Sequence, residues 1–189
     1  MLAGGEVTPS LVLLDRDGTI NEPAAADRYV ADPESARLLP GAAAAIRRLN
    51  AAGVPVVVVT NQRGVATGEL SSSQLDRVNS AITARLAEGG ARLDGWYVCP
   101  HEVGACDCRK PLPGLLARAL ADRPGLEPAD CVVVGDAESD VLAGRAIGIR
   151  GVLLHPDVAT TTAAVSVQRN LADAVQWLLG PDDDTVTDW

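Results

Sequence analysis

Short apolar runs alternate along the chain with longer stretches of helical periodicity. The runs predict strands near 10–14, 54–59, 95–98, 131–135 and 149–154. The intervening and following stretches predict helices near 41–52, 71–88, 113–121, 139–146 and 170–179. The second and fourth runs are almost entirely valine, which is typical of strands covered by helices on both faces. This alternation therefore predicts an α/β fold with a doubly wound, mostly parallel sheet.

The length predicts one domain with a sizeable core, because 189 residues without an internal repeat fit a single folded unit. We expect this domain to span 10–180, with loose, solvated ends at 1–9 and 181–189. The threonine-rich stretch 156–168 is predicted to be a surface connection.

The net charge of the chain narrows the classes of molecule that it can bind. A net charge of −9 disfavours nucleic acid, whose phosphates need a basic surface. No apolar run reaches the length of a membrane span, and the first ten residues lack the features of a secretory signal. We therefore expect a cytoplasmic monomer that acts on a small molecule, with no nucleic-acid or membrane partner.

Two carboxylates, in Asp15-Arg16-Asp17-Gly18-Thr19, follow the first apolar run. They lie where a strand ends, and in open α/β sheets ligands bind at that edge. Asp15 can attack phosphorus, and Asp17 points to the same side of an extended chain and can exchange a proton with the leaving oxygen. The alternative is an acidic strand end followed by a turn, and three later segments favour the catalytic interpretation.

The second segment, Thr60-Asn61-Gln62, offers a hydroxyl and amides that can hold phosphate oxygens. The third segment is Arg109-Lys110-Pro111, and Lys110 is the only lysine among 16 basic residues. Pro111 and Pro113 stiffen the approach to a predicted helix, which holds Lys110 near the positive end of that helix. There Lys110 could neutralise phosphate and pair with Asp15.

The fourth segment ends a buried strand at Gly135-Asp136 and places Asp140 one helical turn further on. Mg²⁺ prefers hard oxygen ligands and keeps several waters, so Asp15 and Asp136 from neighbouring strand ends would suffice to hold it. Asp140 is equally typical of a carboxylate that favours the positive end of a helix.

Three cysteines and a histidine cluster within ten residues at Cys99, His101, Cys106 and Cys108. Such a set can close a tetrahedral Cys₃His zinc site with no position left for water. Zinc there would be structural and would fold a loop that has no secondary structure of its own. The alternative is a group of free cysteines in a loop.

The four segments, in this order over residues 10–155, resemble the haloacid dehalogenase superfamily of aspartyl-phosphate phosphatases. The resemblance implies a Rossmann-like fold and Mg²⁺, with Asp15 as nucleophile and Asp17 as acid/base whose backbone carbonyl also coordinates the metal. It further implies that Thr60 and Lys110 grip the transferred phosphoryl group, and that Asp136 is a metal ligand supported by Asp140.

The cysteine cluster, followed directly by Arg109-Lys110-Pro111, resembles one branch of that superfamily. This branch contains the D-glycero-D-manno-heptose-1,7-bisphosphate 7-phosphatases and the histidinol-phosphate phosphatases. Asp15 to Asn21 and Thr60 to Ala66 resemble the heptose enzymes. The interval from His101 to Cys106 is closer in length to that of histidinol phosphatases, and Thr67 replaces a common arginine. The resemblance implies a heptose bisphosphate substrate, with histidinol phosphate as the alternative.

Two further alternatives are a DNA 3′-phosphatase, which the acidic composition disfavours, and a receiver module that only accepts phosphate. Asp17 argues against a receiver, because a nearby acid/base promotes turnover of a phosphoaspartate.

The interval between Asp17 and Thr60 is short and contains a predicted helix, so it leaves no room for a separate cap domain. The pocket must therefore be lined by the loop that carries the four candidate zinc ligands, by the segment 21–35 and by the turn at 63–69. Arg109 is the candidate for holding a second anionic group of the substrate, because its planar fork suits phosphate.

Overall fold

The computed structural model describes residues 8–25 and 29–181. Its strands are β1 (Leu11–Leu14), β2 (Val56–Asn61), β3 (Gly95–Cys99), β4 (Cys131–Gly135), β5 (Arg150–Leu154) and β6 (Ser166–Gln168). Its α-helices are α1 (Ala42–Ala51), α2 (Ser72–Glu88), α3 (Gly114–Ala121), α4 (Glu138–Arg145) and α5 (Leu171–Leu179). The predicted termini at 1–9 and 181–189 lie almost entirely outside the described residues.

All six strands form one parallel sheet in the order β3-β2-β1-β4-β5-β6, which confirms the predicted α/β fold. β1 lies at the centre between β2 and β4, and Leu14 is in register with Val58 on one side and Val134 on the other. The chain therefore leaves all three strands at the same edge, where their carboxyl ends meet. This placement brings the segments after β1, β2 and β4 together.

Alternate residues of β1 point to opposite faces of the sheet, and each face has its own core. Val12 and Leu14 belong to the cluster packed under α1, α2 and α5. Leu11 and Leu13 belong to the cluster packed under α3 and α4. Helices thus cover both faces, which is why the strands read as continuous apolar runs.

The prediction of a surface connection over 156–168 is wrong at its end, where Ser166–Gln168 forms the edge strand β6. Three residues with two polar side chains carry no recognisable strand pattern. Pairing of β6 with the exposed edge of β5 supplies the backbone partners, as when Val167 stands in register with Leu153.

Between β1 and β2 the described residues contain only a 3₁₀ turn at Pro33–Ser35 and α1, so no separate cap domain covers the sheet edge there. The site is covered instead by loops, among them the loop that links β3 to α3. We find no helix in the described ranges that is both long and apolar enough to cross a membrane.

Candidate active site

Lys110 connects the loop before α3 to the centre of the sheet edge. Its Nζ donates to Asp15 Oδ1 at 2.7 Å and to the carbonyl oxygen of Val59 at 2.7 Å, and it lies 2.5 Å from Asp140 Oδ1. Its side chain is only 3% exposed. Three acceptors, one after β1, one in β2 and one in α4, therefore converge on one ammonium, which fixes the Asp15 carboxylate.

Burial and the neighbouring charges shift the pKa values of Asp15 and Lys110. Burial raises the pKa of Asp15 to about 7, with Lys110 opposing the rise and Asp140 adding to it. Burial alone would lower the pKa of Lys110, but the adjacent carboxylates of Asp15 and Asp140 outweigh it and raise that pKa. Lys110 is therefore held as a cation between partly exposed Asp15 and buried Asp140.

Asn61 holds the backbone of Lys110. Its Nδ2 donates to the Lys110 carbonyl at 3.0 Å, and its Oδ1 accepts from the Lys110 amide at 3.1 Å. These two bonds place Asn61 as a clamp between β2 and the Lys110 loop, and its binding of phosphate stays a prediction. The neighbouring Thr60 hydroxyl is 1% exposed and accepts from Gln62 Nε2 at 3.0 Å.

Two glycines, one after β1 and one at the end of β4, make room for the two acids that follow β4. A Cβ on Gly18, whose φ is +81°, would lie 2.0 Å from Asp136 Oδ2. A Cβ on Gly135 would lie 2.1 Å from Asp140 Oδ2. Asp140 also accepts from the Ala137 amide at 3.2 Å at the start of α4, so it contacts both the helix end and Lys110.

The residues at this edge fit a divalent cation with oxygen ligands. Asp15, Asp136 and Asp140 each offer a carboxylate oxygen, and these oxygens lie within 4.8 Å of one another. Burial raises the pKa of Asp136 to about 6, with a further rise from Asp140. Lys110 offsets part of this negative charge, and a cation would relieve the remaining repulsion. The side chain of Asp17 is not part of this cluster, and its carbonyl as a ligand stays a prediction.

The predicted zinc ligands, Cys99, His101, Cys106 and Cys108, come together in the loop after β3. The Sγ atoms lie 3.6 Å apart for Cys99 and Cys106 and 3.3 Å apart for Cys106 and Cys108. His101 Nδ1 lies 3.6 Å and 3.3 Å from the outer two sulfurs. Zn–S bonds of about 2.3 Å give tetrahedral edges of about 3.8 Å, so the donor set fits zinc.

We expect purified protein to contain about one zinc per chain by elemental analysis. Cys108→Ser should remove the zinc and lower the melting temperature by on the order of 10 °C, because each kcal/mol lost shifts a domain of this size by about 2–4 °C. It should also lower activity, since Arg109 and Lys110 follow directly. Cys131→Ser is the matched control, a buried cysteine outside the cluster, and should leave the zinc content unchanged. A zinc-free protein with full activity and unchanged melting temperature would contradict this assignment.

Asp17 lies in a set of hydrogen bonds that the sequence analysis missed. Its two carboxylate oxygens accept from Arg16, from Asn21 Nδ2 at 2.9 Å and from Gln62 Nε2 at 2.8 Å. Arg16 is completely buried. An arginine between two acids in the sequence was the available signal, because a buried guanidinium requires an anionic partner.

Two features beside the acids could receive the rest of a ligand. Arg109 Nη1 is buried and has no hydrogen-bond partner among the described residues. On the side of Asp136 lies a cavity of about 510 Å³ whose lining includes Thr19, His155 and Arg169. A buried guanidinium nitrogen without an acceptor favours an anionic ligand group at the zinc-loop side.

Comparison with known proteins agrees with this site. A family model described as haloacid dehalogenase-like hydrolase matches residues 9–148, and the chain belongs to that family of hydrolases. A relative from Mycobacterium tuberculosis is 39% identical over 83% of this chain and 77% of its own length. It is named D-glycero-alpha-D-manno-heptose-1,7-bisphosphate 7-phosphatase. A relative from Rhodopseudomonas palustris is 42% identical over 73% of this chain and 79% of its own length, and carries the corresponding beta name.

A solved structure extends the likeness to the whole fold. The heptose 1,7-bisphosphate phosphatase of B. bronchiseptica, crystallised with magnesium and phosphate, is 32% identical to this chain. It superposes with a TM-score of 0.80, covering 90% of this chain and 98% of that one. All three relatives are thus named as phosphatases of a heptose 1,7-bisphosphate, and the names of the first two differ in the anomer.

Proposed function

We propose that this chain is a Mg²⁺-dependent phosphomonoesterase that removes the 7-phosphate of D-glycero-D-manno-heptose 1,7-bisphosphate through an aspartyl-phosphate. The observation that carries the proposal is the pairing of Asp15 with the buried ammonium of Lys110 beside Asp136. The names of the relatives supply the substrate. We further propose that residues 10–180 form the single catalytic domain.

In this mechanism Asp15 attacks phosphorus with one carboxylate oxygen while Lys110 holds the other. A phosphate oxygen would become a fourth acceptor near the Lys110 ammonium, so Lys110 must share its donors between Asp15 and the transferred phosphoryl group. Thr60 and Asn61 complete the cradle at the end of β2. Asp15, Asp136 and the backbone carbonyl of Asp17 would hold Mg²⁺, which would supply positive charge that offsets the phosphoryl oxygens.

Asp17 acts as acid and then as base. It gives a proton to the sugar oxygen as the bond between phosphorus and that oxygen breaks, and the Asp15 carboxylate becomes the acyl-phosphate. Asp17 then takes a proton from the water that attacks the acyl-phosphate. Inorganic phosphate leaves and Asp15 is restored.

We assign the second phosphate of the substrate to Arg109, because this arginine follows the zinc ligand Cys108 and has a buried unpaired nitrogen. Arg109→Ala should lower kcat/KM for heptose bisphosphate by about 10- to 100-fold, the usual value of a hydrogen bond to a charged group. It should leave kcat/KM for p-nitrophenyl phosphate unchanged, because this ester has no second anionic group. Steady-state kinetics with both anomers of the bisphosphate and with this simple ester measures the difference.

The matched control is Arg169→Ala, which removes an exposed arginine from the cavity on the other side of Asp136. Under our assignment this substitution leaves kcat/KM for both substrates unchanged. If Arg169→Ala instead gives the selective loss, the second phosphate lies in that cavity. Equal losses on both substrates for Arg109→Ala would reject the bisphosphate assignment, and histidinol phosphate is then the next substrate to assay.

A further inference from the structure

Arg16 lies between the two acids of the catalytic segment and is completely buried. A guanidinium cannot lose its proton in a protein, so burial does not neutralise it. Its charge must be balanced by a partner in place. The identity and geometry of that partner define what Arg16 does.

The partner is Asp17. Nε and Nη2 of Arg16 face both carboxylate oxygens of Asp17, with four nitrogen–oxygen distances between 2.8 and 3.2 Å. The third nitrogen, Nη1, donates to Asn79 Oδ1 at 2.9 Å on α2. The guanidinium is therefore anchored at its far end to a helix, and its fork faces the carboxylate in the bidentate arrangement that fixes orientation.

The remaining contacts of Asp17 are also donors. Asn21 Nδ2 reaches Oδ1 and Gln62 Nε2 reaches Oδ2, so each oxygen accepts from Arg16 and from one amide. A carboxylate can accept all of these bonds, whereas a protonated carboxyl must turn its O–H away from them. Four nitrogen donors therefore face the two side-chain oxygens of Asp17 and fix their orientation.

We propose that Arg16 is a positioning residue that aims the Asp17 carboxylate and stabilises the negative charge that develops there as Asp17 gives up its proton. The inference rests on the acid/base role of Asp17 in the proposed function. In the first step the O–H bond of Asp17 breaks and its proton goes to the ester oxygen. The P–O bond to the leaving group breaks as the Asp15–phosphorus bond forms, and the electron pair of the O–H bond remains on Asp17, facing Arg16.

This role predicts a dependence on the leaving group that a purely structural arginine would not show. A sugar oxygen is a poor leaving group and needs the proton, whereas p-nitrophenolate leaves without it. Loss of Arg16 should therefore lower kcat/KM, which reports the steps up to formation of the acyl-phosphate, for sugar phosphates. It should leave kcat/KM for p-nitrophenyl phosphate nearly unaffected, although the later water attack is common to both substrates.

The test compares Arg16→Met with the wild-type protein on heptose bisphosphate and on p-nitrophenyl phosphate. General acid/base catalysis contributes about 10²–10⁴-fold, and we expect Arg16→Met to lose about 10- to 100-fold on the sugar phosphate and less than about threefold on the ester. Arg16→Lys should recover little, because an ammonium lacks the fork. If the wild-type protein does not turn over heptose bisphosphate, the proposed substrate fails, and glycerol phosphate replaces it in the comparison.

Two further variants keep the result interpretable. Arg85→Met removes another arginine with internal hydrogen bonds, to the carbonyls of Pro33 and Ala36, and should show no bias between substrates. If Arg16→Met does not fold, Asn79→Leu releases only the far end of the guanidinium and should show the same bias in smaller measure. Equal losses on both substrates, or no loss at all, would overturn the proposal.

Discussion

Asp15→Asn is expected to abolish turnover while the protein remains folded. An amide has the shape of the carboxylate but cannot attack phosphorus to form the acyl-phosphate. We expect kcat/KM to fall by at least about a thousandfold on every phosphate ester, because loss of a nucleophile removes the covalent route entirely. Acid quenching of the wild-type reaction should trap a phosphorylated chain, and the variant should trap none.

Asp76→Asn is the matched control, the same change at an exposed acid on α2. It should retain full activity. If Asp15→Asn kept a substantial fraction of the wild-type rate, the covalent mechanism would have to be abandoned.

The same variant reports on the buried charge of Asp15. The pKa of this carboxyl in the folded protein is about 7, above its ordinary value of 3.8, so the folded form binds the proton more tightly than the unfolded chain. Its contribution to stability is complete below about pH 4 and is lost as the pH rises through about 7. In metal-free buffer Asp15→Asn should therefore gain stability relative to wild type from pH 4 to pH 8.

Added Mg²⁺ should reverse that difference, because a cation at Asp15 and Asp136 favours the ionised carboxylates. Melting curves at four pH values, with and without Mg²⁺, measure it. A constant difference between the two proteins at all pH values would show that Asp15 has no raised pKa.

Lys110→Met is the second substitution with a large expected effect. It leaves Asp15 and Asp140 close together without the shared cation. Removing one partner of a buried ion pair lowers the free energy of unfolding by about 3–5 kcal/mol. Turnover should fall by at least about a hundredfold, since the ammonium offsets charge common to all phosphate esters. The loss should therefore be equal on heptose bisphosphate and on p-nitrophenyl phosphate, unlike that of Arg109→Ala.

The loss of stability should be smaller at acid pH, where the Asp15 carboxyl, whose pKa is raised to about 7, takes up a proton and its repulsion with Asp140 ends. Lys110→Arg should be nearly as inactive as Lys110→Met, because three acceptors converge on one nitrogen and a planar fork spreads its donors. Recovery of activity in Lys110→Arg would show that only the positive charge is needed.

Local sequence patterns were enough to predict the class of fold. The apolar runs ending at Leu14, Val59 and Val134 define parallel strands that are buried on both faces, and the helices between them appear where their caps and periodicity indicate. The edge strand Ser166–Gln168 was missed, because a strand of three residues forms only through pairing with the neighbouring strand β5.

The sequence by itself determined which chemical groups are present: the acids after β1 and β4, the single lysine, and the four donors suited to zinc. These can be predicted because strand ends of a parallel sheet meet at one edge and because metal ligands within one loop lie close in sequence. Only the tertiary structure decided which group contacts which. Asn61 clamps the backbone of Lys110, and Arg16 turns its fork to Asp17 because Asn79 of α2 holds its other end. Contacts between residues so far apart in the chain leave no local pattern, because they form only when packing of the sheet and helices brings those residues together.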